Sequence, residues 1–458
     1  MDSRTNATHS TRDAFASTLG AFAATVGSAI GLGNIWKFPY LTGSNGGAAF
    51  VLTYLLAVAL AGLPVMVVEH VIGRRMRLDA VRAYGRVVPG QRFWSAIGWA
   101  GLAAALLIMA FYTDVAGWVF AYVFKSVGAA IAGAALTPET FSSLAGGTWE
   151  PLGWQLVVLV LTTSIIAAGV SKGIEKVTKT LMPLLFALLL VCDLRALTLP
   201  GASAGVAYLF RPELSKLTGT VLLSALGLAF FKLSLGMGTM TTYGSYLPAE
   251  TRIVPNAARV ALADTLVSLL AGLAIFPAVF AFGGTPAGGP GLLFNTIPLV
   301  FSRMPGGAIF TALFFVLAAI ATIGAMVSLI EVPVAWLVEK GHVRRPVAAV
   351  ITGATMLGLG VPATLSQSPV LASVKVFGKT FFDLFDFVSS NVLLPIGGLA
   401  IAIVGGWLFS RAAFAGEMDR GYATPPWHGH AVRLLVRFVA PVLILVILLN
   451  SLGVISLA

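Results

Sequence analysis

The chain of 458 residues is 58% hydrophobic and only 10% charged. A soluble protein of that length would divide into about three domains, but apolar runs of about 20 residues recur from end to end, the mark of a single integral membrane domain. The net charge of +11 would suggest nucleic acid as partner of a soluble protein; here the basic residues collect in alternate loops, which excludes that partner and indicates orientation in a lipid bilayer.

The polar tail, 1–13, lacks the charged-then-apolar order of a cleaved signal, so the first hydrophobic segment is expected to persist in the mature chain. About eleven spans follow, near 14–40, 48–72, 94–125, 152–170, 177–198, 218–247, 255–283, 306–338, 345–362, 381–409 and 431–457. Arg74, Arg75, Arg77, Arg82, Arg86 and Arg92 crowd the loop after the second span, and Arg411, Arg420, Arg433 and Arg437 the approach to the last. Counted by this scheme, about 20 Lys and Arg lie inside and about 7 outside. A multi-pass protein of the cell inner (plasma) membrane is expected, its N-terminus cytoplasmic and its C-terminus outside. The lone Cys192 excludes an internal disulfide and a metal cluster. Oligomeric state leaves no trace in the sequence.

The first span carries Gly27-Ser28-Ala29-Ile30-Gly31-Leu32-Gly33-Asn34-Ile35-Trp36-Lys37-Phe38-Pro39-Tyr40, apolar enough for a membrane yet full of helix breakers and polar groups. Lipid offers no hydrogen-bond partners, so an unwound turn survives only inside protein or beside a watery cavity. Packing glycines would explain Gly27 and Gly31, but not Asn34 and Lys37 beside Pro39, since polar groups at membrane depth are costly and tend to be functional. The sixth span, through Phe231-Lys232-Leu233-Ser234-Leu235-Gly236-Met237-Gly238, repeats the interruption five spans later. Breaks at matching positions of two halves predict an inverted repeat with a binding site between them, where freed N–H groups suit an anion and freed carbonyls a cation.

These residues resemble the neurotransmitter:sodium symporter family, in the branch of bacterial amino acid transporters that includes the leucine transporter. The resemblance rests on Gly31 to Tyr40, Asn45-Gly46-Gly47, Gly62-Leu63-Pro64 with Glu69 and Gly73-Arg74, Ser171-Lys172-Gly173-Ile174-Glu175, Ser234-Leu235-Gly236 and Ala271-Gly272, and it covers nearly the whole chain. It implies an all-α, leucine-transporter-like fold: a first five-helix repeat over 14–198, a second, inverted one over 218–409, and an eleventh helix over 431–457. It further implies alternating access around an amino acid held by Ser28, Ala29, Leu32 and Gly33, with Tyr112 at its carboxylate and Ile108, Phe231, Lys232, Ser234, Met237, Ala325 and Leu329 around it. Members that carry amines have an aspartate where this chain has Gly31, so a substrate with its own carboxylate is favoured. The apolar, pliable contacts Ile108, Met237 and Leu329 suit a small-to-medium hydrophobic side chain. The resemblance places outer-gate residues at Lys37 and Asp386 with Phe231 as lid, inner-gate residues at Arg12 and Glu339 with Phe15 and Tyr246 nearby, and Glu69 capping the unwound first span.

Two departures bear on the driving ion. The family's first sodium site takes the Ala29 carbonyl, the Asn34 amide, a threonine and an asparagine; the last two positions correspond to Lys232 and Ala263. An ammonium there would repel sodium strongly, so Lys232 is expected to replace the ion and pair with the substrate carboxylate. Snorkelling to the surface is hard from an interrupted mid-span segment. The second site keeps the carbonyls of Gly27, Ile30 and Ala321, but the expected hydroxyl positions are Gly324 and Ala325, with Thr322 and Ser328 as the nearest substitutes. Coupling then falls to a residual Na+ site or to H+, and no organic cofactor is implied.

Other classes fit less well. Gly378-Lys379-Thr380 lacks the upstream glycine of a phosphate loop, Gly31-Leu32-Gly33 follows no strand, and the five histidines are scattered, so an enzyme is excluded. A channel would more often repeat one pore element with charge rings. A non-transporting sensor or scaffold, and an exchanger without ion coupling, remain as alternatives that flux measurements separate.

Overall fold

The computed structural model describes residues 13–134, 136–287, 289–418 and 426–455. Arg12, Arg420 and nearly all of the expected N-terminal tail lie outside them. Among the described residues nine helices are long and apolar enough to cross a membrane: Ala48–Met76, Arg92–Ala132, Trp149–Ala167, Val170–Leu197, Ile253–Ala281, Gly307–Gly341, Arg345–Leu365, Phe381–Leu408 and His428–Ser451. They are spans two to five and seven to eleven. The first span is a bent pair, Thr18–Ala29 and Gly33–Ser44, turned by 47° at its break. The sixth is two shorter helices, Gly219–Lys232 and Thr239–Tyr246.

Each break follows from local chemistry. The first half of span one starts on Ser17, whose side chain accepts from the Gly20 N–H, a capping arrangement that satisfies one of the helix's orphan donors. It stops where Ile30 turns extended, at φ −85 and ψ 107. In span six, Gly236 and Gly238 take φ of 76° and 77°, and Ser234 takes 53°, a region where a side chain normally costs about 1–2 kcal/mol. A Cβ on Gly236 would stand 2.7 Å from the Leu394 carbonyl oxygen of span ten. Only glycine permits both the turn and that approach.

Burial sorts the spans into core and shell. The most apolar window of span eight is 83% buried within the protein and that of span eleven 28%, so span eight walls the interior while span eleven faces lipid. Span eight packs against spans one, three and five, and the second half of span six lies along span two. The two broken spans thus meet in the protein's centre.

Candidate functional site

Side chains meet the backbone freed at the breaks. Asn34 Oδ1 accepts from the Gly31 N–H at 3.1 Å, and the Tyr112 hydroxyl accepts from the Leu32 N–H at 3.0 Å. Ser28 Oγ donates to Ser234 Oγ at 3.3 Å, and Ser234 Oγ donates to the Ser28 carbonyl at 3.0 Å, tying one break to the other. Glu69 corrects the sequence reading: its carboxylate accepts from the Gly236 N–H at 2.9 Å and from the Thr241 N–H and hydroxyl at 3.2 and 3.0 Å. It therefore supports the break of span six, the one that span two lies against, while Asn34 and Tyr112 serve span one.

Lys232 ends the first half of span six with its side chain wholly buried. Its Nζ lies 3.1 Å from Asp264 Oδ2 on span seven, donates to the Tyr54 hydroxyl at 2.9 Å and to Ser268 Oγ, and stands 5.0 Å from the centre of the Phe38 ring. Tyr54 in turn donates to Asp264 Oδ2 at 2.7 Å. Asn34 Nδ2 faces the Asp264 carbonyl at 2.9 Å, Asp264 Oδ1 at 2.7 Å and Ser268 Oγ at 3.1 Å. The sequence reading looked to Ala263 here; Asp264, one residue on, makes the contacts, and Ala263 is half-buried beside it. Asp264, Tyr54 and Ser268 were missed, although an aspartate within an apolar span is itself a signal. The Asn34 amide oxygen, the atom a cation would need, is already engaged by Gly31.

All the residues expected around an amino acid except Leu32 line one small pocket, together with Gly31. Leu32 lies instead on a larger vestibule, walled by Trp36, Phe111, Trp118 and Phe382. Phe231 borders both spaces. The Tyr112 hydroxyl accepts from Leu32, so its own proton is available to a carboxylate in the cavity. A Cβ on Gly31 would stand 2.8 Å from Ala325 Cβ and 3.1 Å from the Tyr112 hydroxyl.

The vestibule carries the expected gate pair: Lys37 Nζ is 3.7 Å from Asp386 Oδ1 and 4.2 Å from the Phe231 ring centre. On the opposite side Phe15 is buried edge-on against Tyr243 and Tyr246. Tyr246 donates to Glu331 Oε1 at 2.7 Å, and Arg345 links Glu331 to Asp13. Glu339, expected opposite Arg12, pairs with Arg82 and accepts from the Asp79 N–H at 2.9 Å.

The second cation position is expected at the junction of spans one and eight. The Gly27 carbonyl faces Gly324 so closely that a Cβ there would stand 2.5 Å from the oxygen. Thr322 donates its hydroxyl to the Ala318 carbonyl at 2.6 Å and Ser328 to the Ala325 carbonyl at 2.8 Å. Both hydroxyls spend their protons on their own helix, which leaves their oxygen lone pairs as the side-chain donors nearest in sequence to the expected carbonyls of Gly27, Ile30 and Ala321.

Two broken helices that meet around one pocket, in a chain made of apolar spans, are the arrangement of a membrane transporter rather than an enzyme. The family model described as the Sodium:neurotransmitter symporter family matches residues 12–142 and 146–457. The chain is 40% identical over 432 residues to the uncharacterized sodium-dependent transporter YhdH of Bacillus subtilis, covering 94% of this chain and 95% of that one. A second relative, an uncharacterized sodium-dependent transporter of Haemophilus influenzae, is 34% identical with 96% and 98% coverage. The crystal structure of MhsT in complex with L-phenylalanine superposes with a TM-score of 0.88 at 42% identity, covering 96% of this chain and 100% of that chain. The chain belongs to the sodium:neurotransmitter symporter family and has the leucine-transporter-like fold.

Proposed function

We propose that the protein carries a hydrophobic amino acid across the cell membrane by alternating access, with the Lys232 ammonium doing the work of the first sodium ion. The observation that carries this reading is the ammonium of Lys232 held 3.1 Å from Asp264 inside a wholly buried network. A resident positive charge already meets Asp264 and occupies the space a sodium ion would need, and like charges that close repel strongly. The substrate carboxylate binds at the break of span one, between the Tyr112 hydroxyl and Lys232, while its side chain lies against Ile108, Phe231, Met237 and Leu329. The phenylalanine in the MhsT complex supports a substrate of that size and polarity.

The relatives are named sodium-dependent, so any sodium that drives this protein acts at the second position, through the carbonyls of Gly27, Ile30 and Ala321, or gives way there to proton coupling. Lys37, Asp386 and Phe231 form the outer gate in this reading, and Phe15, Tyr246, Glu331 and Arg345 the inner one. The test is L-phenylalanine binding to Lys232→Thr and to the unaltered protein at varied sodium. Threonine leaves Asp264, Asn34 and Ser268 as hard oxygen donors, so binding by the variant is expected to become strongly sodium-dependent while the unaltered protein responds weakly. Equal affinity and equal sodium response in both would refute the substitution.

A further inference from the structure

Asp114 belongs to none of the contacts above. It lies in span three, two residues beyond Tyr112, fully buried, and neither carboxylate oxygen has a hydrogen-bond partner among the described residues. Two other buried polar atoms nearby also lack one: Gln155 Oε1 on span four and Thr364 Oγ1 on span nine. Their proximity follows from the packing. A Cβ on Gly360 would stand 3.2 Å from the Ala110 carbonyl and 2.4 Å from Gln155 Nε2, and Gln155 Nε2 donates to Thr113 Oγ1 at 2.9 Å. Spans three and nine, both odd-numbered, cross in the same direction. One turn beyond Ala110 is Asp114, and one turn beyond Gly360 is Thr364, so the two residues face each other.

An ionised carboxylate has only the neighbouring Thr364 hydroxyl to turn to here and is costly at this depth. A neutral acid is the cheaper form there, because its O–H can be offered to Gln155 Oε1, an acceptor that has no partner of its own. One further turn along each stripe leads to the vestibule, where Trp118 and Gln367 are wall residues. Trp118 stacks on Phe382 of span ten with ring centres 6.1 Å apart and planes 11° from parallel, and Phe382 lies four residues before the gate residue Asp386. We infer that Asp114 is a proton-binding site reached from the vestibule and sealed by the Trp118–Phe382 stack. When the stack parts, a vestibule hydronium gives its proton to the carboxylate, leaving water and the neutral acid; the reverse step returns the proton.

Among the described residues, the charged groups on the elements packed around Asp114 are paired elsewhere or lie on the vestibule side. Glu150, at the far end of span four, pairs with Lys125 of span three at 2.8 Å. Arg345, at the start of span nine, pairs with Glu331 of span eight, and Glu339 of span eight pairs with Arg82 of the short helix Ala80–Val87. Asp383 and Asp386 of span ten border the vestibule.

The test uses the full chain in lipid nanodiscs, without substrate, by infrared difference spectroscopy between acidic and alkaline buffers and after transfer to D2O. The unaltered protein is expected to show a carboxylic-acid carbonyl band that Asp114→Asn removes and Asp114→Glu keeps at a shifted position. In Phe382→Ala that band should exchange with D2O severalfold faster. A band that survives Asp114→Asn overturns the assignment, as does the absence of an acid band at every pH. A carboxylate signal that follows sodium rather than pH also overturns it, in favour of a cation site. Equal exchange rates in Phe382→Ala and the unaltered protein overturn the vestibule route.

Discussion

Removing one member of the Lys232–Asp264 pair should cost far more than removing both. At a separation of 3.1 Å and an effective dielectric near 20, the attraction is about 5 kcal/mol. Both side chains are wholly buried, so Asp264→Asn leaves an ammonium with only neutral acceptors, and Lys232→Met leaves a carboxylate with only the neutral donors of Tyr54 and Asn34. Each single change should destabilise the fold by about 3–5 kcal/mol, the usual penalty of an uncompensated buried charge. The double variant Lys232→Met/Asp264→Asn removes both charges, keeps the amide's hydrogen bonding and fills the lysine's volume. Its loss should fall short of the sum of the single losses by about 2–3 kcal/mol, a coupling typical of directly contacting groups. Reversible unfolding titrations of the four proteins in mixed SDS micelles, in sodium-free buffer, give the cycle. Additive losses would refute the reasoning, because they would mean that the two charges do not sense each other.

Glu69→Gln removes the charge from three hydrogen bonds at the span-six break; charge-assisted bonds are worth about 1.5–3 kcal/mol each, so the same unfolding titration should show a loss of at least that order. Gly31→Ala puts a methyl group 2.8 Å from Ala325 Cβ and should weaken L-phenylalanine binding, measured by calorimetry, by more than tenfold, about 1.4 kcal/mol, with little change in stability. Lys37→Arg supplies the planar fork that lysine lacks for Asp386; in stopped-flow measurements it should slow L-phenylalanine release toward the vestibule, while Lys37→Met should speed it. Tyr246→Phe removes one hydrogen bond to the Glu331 carboxylate, about 1.5–3 kcal/mol, and should raise the labelling rate of a cysteine placed at Ala325 by reagents entering past Phe15.

Hydropathy alone located the spans, because an unbroken apolar run has few alternatives in a chain this poor in charge. The breaks in spans one and six were equally legible, since glycines and polar residues together at membrane depth have few other uses. Lys232 stood out for the same reason, but its partner did not: Asp264 lies 32 positions away on another span, and only the packing of spans six and seven brings the two together. A residue-by-residue resemblance pointed to Ala263, one position from the group that makes the contact, and a one-residue slip on a helix turns a side chain by 100°. Glu69 was read as a cap, yet sequence spacing could not choose between two breaks that both expose N–H groups. Asp114 carried a signal that went unread, a charge in the middle of an apolar span, and its isolation emerges only once spans four and nine are packed around it.

The central claim is that a fixed ammonium takes the place of a bound ion beside the substrate. A structure of the protein with L-phenylalanine, determined in high sodium at a resolution that separates ions from water, tests it most directly. The account predicts Lys232 Nζ within hydrogen-bond reach of both Asp264 and the ligand carboxylate, with no ion between the carboxylate and Asn34. A sodium ion bridging Asn34 and the carboxylate, with the lysine displaced from Asp264, would contradict it.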